Sequence, residues 1–233
     1  MSNIKEEISK KANKQKAAIL SRFFKTGKGE YGEGDIFLGI KVPEQREIAR
    51  KFKEIPMSEV KELIDSKIHE YRMIALLVII EKYIRADEKE KEKIFSFYLK
   101  NTSNINNWDL VDLSAPQIVG GFLLERDRQI LYYLAVSKKL WERRIAIVST
   151  FAFIKRGEIK DTFKIAELLL ADSHDLIHKA VGWMLREAGK RDKKSEAAFL
   201  EKYAVKMPRT MLRYAIEKFP EEERVYFLTK KSK

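Results

Sequence analysis

The chain has 233 residues, 45% hydrophobic and 35% charged, which is enough apolar material for a sizeable core and too much for a disordered chain. Forty-seven Lys and Arg against thirty-five Asp and Glu leave a formal charge of +12, which favours a polyanionic partner, nucleic acid ahead of an anionic membrane surface. With no cysteine, disulfides, thiolate nucleophiles and Cys-ligated zinc or iron–sulfur sites are excluded, and nothing points to an oxidising compartment.

From the N-terminus, MSNIKEEISKKANKQKAAIL is charged throughout and lacks an apolar signal core. The greasiest run, IALLVII at 74–80, is far too short to span a bilayer, so the expectation is a cytoplasmic protein that does not enter membranes. Turn chemistry dominates only in 26–39, which holds half of the ten glycines. Its TGKGEYGEGD lacks the order of a phosphate-binding loop and a preceding strand, and is read as a flexible connection. Elsewhere apolar residues recur at helical spacing, strand-type alternation is hard to find, and short loops join helices of roughly ten to eighteen residues. Pro43 and Pro208 suit first helical turns, and Pro116 should end or bend the helix that contains Trp108.

Related segments recur at a spacing of roughly 32 to 38 residues: HEYRMIALLVIIEKY from His69, NWDLVDLSAPQIVGG from Asn107, LWERRIAIVSTFAFI from Leu140, DLIHKAVGWMLREAG from Asp175 and MPRTMLRYAIEKF from Met207. That period predicts an all-α chain, a curved solenoid of HEAT-like helical repeats in one domain over 1–233, with an N-terminal helix and glycine-rich loop in 1–42 and the repeat array in 43–229. Four segments carry an early basic residue: Arg72, Arg144, Lys179 and Arg213. Stacked in register they would form a positive stripe suited to a nucleic-acid backbone; equally, each could cap or salt-bridge its own repeat.

Asn107-Trp108-Asp109-Leu110-Val111-Asp112 is the stretch richest in chemistry. On a helix Trp108 lies one turn before Asp112 and Asp109 three residues before it, giving one face with an aromatic ring and two carboxylates. In a basic protein that is an electrostatic exception of the kind that clusters at functional sites. The structural alternative is a helix capped by Asn107 or Asp109, with Trp108 in the core. Trp183 sits between Lys179 and Arg186, where it could stack on a sugar or base or simply pack; Gly182 beside it suggests close approach of another group. Trp141 is read as packing. His174 and His178 stand at i and i+4 without a Glu base or third ligand, so no metal site is assigned.

Together SRFFKTGKGEYGEGDIFLGIKVPEQRE, NNWDLVDLSAP, RRIAIVSTF, HKAVGWMLREAGKRD and MPRTMLRYAIEKFP resemble, in order and over about 22–220, the AlkD-like DNA alkylation-repair glycosylases, solenoids of HEAT-like repeats. The resemblance implies hydrolysis of the N-glycosidic bond of purines alkylated at N3 or N7, in double-stranded DNA, with no metal or organic cofactor. Position by position it makes Asp112 the essential aspartate and Trp108 the tryptophan of the W-D-x-V-D motif. Trp183 becomes the second aromatic that holds the deoxyribose, and Arg144 a contact to the DNA backbone. Lys179 and Arg186 lie where the same groove would continue, and Phe23 stands where the family places an N-terminal aromatic, without the hydroxyl of tyrosine.

The chemistry is coherent on its own terms. Breaking an N-glycosidic bond builds positive charge on the sugar, which a fixed carboxylate at Asp112 can stabilise while also orienting water. Aromatic faces at Trp108 and Trp183 would add cation–π attraction of up to about 2 kcal/mol. An alkylated purine is already cationic and leaves neutral, so no general acid is needed. No lysine stands out as a Schiff-base nucleophile, so the expected enzyme is monofunctional, and a monomer. Two other readings remain at this stage: a non-catalytic helical module that binds nucleic acid, and a protein-binding scaffold.

Overall fold

The structure, a computed structural model, describes residues 3–231 and is helical almost throughout. Its helices are α1 (Ile4–Lys10), α2 (Lys14–Phe23), α3 (Val42–Lys51), α4 (Met57–Ile64), α5 (His69–Arg85), α6 (Glu88–Lys100), α7 (Trp108–Ala115), α8 (Gln129–Ala135), α9 (Leu140–Ser149), α10 (Phe151–Lys155), α11 (Lys160–Leu168), α12 (Asp175–Gly189), α13 (Lys193–Tyr203), α14 (Arg209–Ala215) and α15 (Glu221–Thr229). Strand pairing among the described residues is limited to one parallel bridge between Ile36 and Ile68. The chain divides into two compact units, Met1–Ser114 and Ala115–Lys233.

The first unit is organised on α5. Residues Ile74, Ala75, Leu76, Val78 and Ile79 are sealed from solvent, and α3 and α4 pack on this helix. The apolar run at 74–80 therefore belongs to a protein core, and no helix among the described residues is long and apolar enough to cross a membrane. The turn-rich segment is tied down at both ends. Gly27 N–H donates to Glu30 Oε2 (2.8 Å) and Gly29 N–H to Glu33 Oε2 (2.7 Å). Downstream, Ile36 N–H donates to the Lys67 carbonyl (3.0 Å) and His69 N–H to the Ile36 carbonyl (2.8 Å).

Glu70 completes the attachment. Its carboxylate, fully buried, accepts the N–H groups of Leu38 (2.9 Å), Gly39 (2.7 Å) and Ile40 (3.2 Å), so the loop's unpaired donors are filled from α5. Gly39 is required there: its φ is +82°, and a Cβ would lie 2.2 Å from the Asn13 carbonyl oxygen at the start of α2.

In the second unit α12 is central, packed by α9, α13 and α14. Its buried stripe of Ile177, Val181, Met184, Leu185 and Ala188 follows helical spacing. Gly182 is where α14 approaches: a Cβ would come 2.4 Å from the Met211 carbonyl oxygen and 2.5 Å from Tyr214 Cβ. The close approach expected from the sequence is thus helix against helix. Pro43 lies in the first turn of α3, whereas Pro208 is one residue earlier than expected, at the cap of α14. Pro116 follows the last residue of α7 and opens a π-helical turn over Pro116–Gly120.

One acid in this unit is buried without compensation. Glu196 on α13 is 2% exposed, and its Oε1 has no hydrogen-bond partner. Burial pushes its pKa up to about 8, against the opposing pull of Arg186 and Lys193. Between its unfolded value and pH 8 the folded state binds the extra proton, so stability falls as pH rises through this range. Glu196→Gln should therefore stabilise the protein by roughly 2 kcal/mol or more at pH 8, with the gain shrinking towards pH 4.5, as urea denaturation across pH will measure.

Candidate active site

The start of α7 is built by its own sequence. Buried Asn107 precedes the helix, its Oδ1 accepting the Trp108 N–H at 2.8 Å and its carbonyl the Val111 N–H at 3.1 Å, and Leu110 and Val111 turn into the core. This leaves Trp108, Asp109 and Asp112 half-buried, so Trp108 is not taken fully into the core.

Trp108 is held on two sides. Its indole Nε1–H points to the Tyr31 hydroxyl at 3.3 Å, and its ring stacks on Phe24 with centroids 5.1 Å apart. Phe24 in turn stacks on Phe37 (5.1 Å), and Phe37 on the imidazole of His69 (4.5 Å). Phe23, 60% exposed, meets Trp108 edge-on at 5.9 Å. The aromatic expected from the N-terminal helix is present, and the tyrosine hydroxyl beside Trp108 comes from the glycine-rich segment. Turn chemistry alone marks that segment as a connection; a tyrosine among its glycines and acids is the signal of a further role. Beside these rings a largely apolar cavity of about 330 Å³ opens between α2, α3 and α5, with Ile19, Phe23, Phe37 and Val42 among its walls and His69 and Asp109 at its lining.

The two carboxylates of the motif have different surroundings. Asp109 Oδ2 lies 2.8 Å from His69 Nε2, and the other ring nitrogen faces Asp35 Oδ2 at 3.4 Å. Burial alone would strip the proton from His69, but the Asp109 and Asp35 carboxylates outweigh it and hold its pKa above the ordinary histidine range. Burial likewise opposes ionisation of Asp35. Contacts from His69, Arg72 and Asn106 prevail and keep its pKa below the ordinary carboxylate range. Asp112 lies towards Tyr98, whose hydroxyl pairs with Ser114 Oγ at 2.8 Å. Burial first, then the charge of Asp112, pushes the Tyr98 phenol well above its usual pKa, so it stays a neutral hydroxyl.

The basic residues expected to form a stripe separate into groups. Arg72 must be withdrawn from it: the residue is 3% exposed, with Nη2 2.7 Å from Asp35 Oδ2 and Nη1 donating to the Ser66 carbonyl at 2.7 Å. A guanidinium enclosed in this way has no face left for a phosphate. Arg144 is also largely enclosed, at 5%, and donates to the Leu176 carbonyl at 2.5 Å. Lys179 pairs with Asp175 (2.7 Å), and Arg186 with Glu217 and, at 3.4 Å, Glu187. Arg213 is exposed and has no ion pair or hydrogen-bonding side-chain partner among the described residues. The same is true of Lys14, Arg22, Lys25 and Lys28 on α2 and the loop after it, and half-buried Lys16 likewise has no such partner; the repeat period could not single these residues out.

Trp183, half-buried, lies 5.9 Å from Phe151. His174 caps α12 through its Nδ1 (3.1 Å to Leu176 N–H), and His178 Nε2 meets the Asp172 carbonyl at 2.5 Å. Both histidines thus serve local backbone groups, and no cluster of metal-ligating side chains occurs among the described residues.

Fold and site together define an all-helical protein with an acidic and aromatic site at a helix start. A family model described as "DNA alkylation repair enzyme" matches residues 4–219, and the chain belongs to that family. Among solved structures it is similar to a predicted DNA alkylation repair enzyme from Enterococcus faecalis, with a TM-score of 0.72 and 17% identity over 91% of this chain and 98% of that one; the likeness shows a shared fold. Comparison with curated protein sequences gives no match.

If Arg72 is structural, Arg72→Met should cost roughly 3 kcal/mol in urea denaturation, because it leaves Asp35 buried without its guanidinium. It should leave the salt dependence of any nucleic-acid binding unchanged.

Proposed function

We propose that this member of the DNA alkylation repair family is a monofunctional DNA glycosylase that hydrolyses the N-glycosidic bond of N3- and N7-alkylated purines in double-stranded DNA. The observation that carries the reading is the first turn of α7, where Trp108 is clamped by Tyr31 and Phe24 one helical turn before the half-buried Asp112.

A ring fixed in place and a carboxylate on the same helix suit a sugar on which positive charge develops. Asp112 stabilises that charge and orients the attacking water, and the Trp108 face adds cation–π attraction. The bond electrons leave with the purine, which departs neutral because alkylation has already made it cationic, and water supplies the hydroxyl that closes the abasic sugar. By the resemblance, Trp183 offers an aromatic face to the deoxyribose; Arg144, 5% exposed and bonded to the Leu176 carbonyl, would have to give up that bond to contact the backbone. The unpaired cations of α2 and Arg213 are suited to phosphates, which they meet without first breaking an internal ion pair. Chemistry of this kind draws on no metal or organic cofactor.

Asp112→Asn beside wild type, on alkylated duplex DNA without added metal, is the direct test. The expected result is release of methylated purines by wild type, loss of release by at least a hundredfold in the variant, and DNA affinity retained within about twofold. Release that persists in Asp112→Asn sinks the assignment. No release by either, with salt-sensitive binding intact, makes the chain a non-catalytic nucleic-acid module, while weak and salt-insensitive binding favours a protein-binding scaffold. If Arg213 meets a phosphate, Arg213→Ala should flatten the log Kd against log salt slope by about one.

A further inference from the structure

Asp109 is the carboxylate of the motif that the proposed chemistry does not use, and its surroundings assign it another task. It is held by His69, a ring that is 2% exposed and has a carboxylate on each nitrogen. Phe37 and Phe24 lie against the imidazole at 4.5 and 5.1 Å. The charged and polar groups around it come from three places. Asp109 is on α7, Asp35 is in the loop before α3, and Arg72, one turn along α5, pairs with Asp35 at 2.7 Å. The neighbouring Glu70 turns its oxygens to the loop N–H groups. Asn106, two residues before Trp108, donates Nδ2–H to Asp35 Oδ1 at 3.2 Å.

We propose that His69 is a positioning residue for the reaction at Asp112, acting as an imidazolium that fixes the first turn of α7 through Asp109 on one side and Asp35 with Asn106 on the other. The inference rests on the glycosylase reading and deepens it.

Two carboxylates can both accept from one imidazole only when both ring nitrogens carry hydrogen. Remove one proton and a lone pair faces a carboxylate in a site walled by aromatic rings, where unpaired polar contacts cost most. The two acceptors are not held equally: Asp35 keeps Arg72 at 2.7 Å, whereas the His69 contact at 2.8 Å is what ties Asp109 to α5. Release of Asp109 frees the second residue of α7 directly and loosens the turn that aims Trp108 and, three residues past Asp109, Asp112. The Asp109 and Asp35 carboxylates hold the His69 pKa above the ordinary histidine range against burial, so the hold is lost as pH rises through that raised value.

The test compares pH profiles of single-turnover base release for wild type and His69→Gln, an uncharged residue that still offers amide hydrogens. Wild type should show an alkaline limb. His69→Gln should lose that limb and run about tenfold slower at neutral pH, with KM for DNA within about twofold. A merely structural His69 would lower the unfolding temperature and the active fraction while leaving the limb in place, and that outcome overturns the proposal.

A second measurement needs neither the variant to fold nor the enzyme reading to hold. The indole N–H resonance of Trp108, assigned by its absence in Trp108→Phe, should titrate in the wild-type protein above the ordinary histidine range as His69 gives up its proton. An invariant indole resonance overturns the coupling. If wild type releases no base, the glycosylase reading falls by itself, and the indole titration still decides whether His69 holds this turn.

Discussion

A carboxylate sealed from water has to have its oxygens filled, and Glu70 fills them with three consecutive backbone N–H groups from 38–40. That single side chain joins the start of α5 to the loop leading into α3. It thereby sets where Phe37 and Asp35 lie. His69, one residue earlier, then finds Phe37 against its face and Asp35 at its Nδ1. The stack that continues through Phe24 to Trp108, and the polar link from Asp35 to Asn106, both start from this corner. The site at α7 is thus assembled by a chain of contacts whose first link is a buried glutamate on another helix.

The excess of positive charge is a poor guide to where a polyanion would sit, because much of it is already spent. Arg128 is bound to Glu158 and Asp161, Arg143 to Asp172, and Arg186 to Glu217. These pairs fasten one helix to the next within the second unit. Guanidinium groups suit such work, since a planar fork of donors can meet a carboxylate and a carbonyl at once, as Arg143 does with Asp172 and the carbonyls of Ser137 and Lys138. Surface lysines of α2 carry charge that no neighbour neutralises. Any polyanion would therefore meet its cheapest partners among those lysines and at Arg213 rather than at the enclosed or paired arginines.

Two acids illustrate how burial is resolved in opposite directions. Asp35 is ringed by His69, Arg72 and Asn106 and stays ionised; Glu196 has only distant cations and takes up a proton instead. Only the first arrangement lies beside Trp108 and Asp109, where a lasting internal charge can orient a neighbouring helix.

By itself the sequence determined the helical class, the break at Pro116, the turn chemistry of 26–39 and the pairing of Trp108 with Asp112 along one helix, because each is a matter of local spacing or of a single residue's backbone limits. It also carried the family, through motifs in a fixed order. Tertiary structure alone decided which basic residues were free. Arg72 and Arg213 share a place in the repeat period, yet one is enclosed by Asp35 and the Ser66 carbonyl and the other is exposed. It also decided that Tyr31, Phe24 and His69 converge on Trp108 and Asp109 although Tyr31 is 77 residues from Trp108 in sequence. Periodicity reports which face of a helix is apolar; it carries no information on which distant carboxylate will fill a buried donor, because that is settled only when the helices pack.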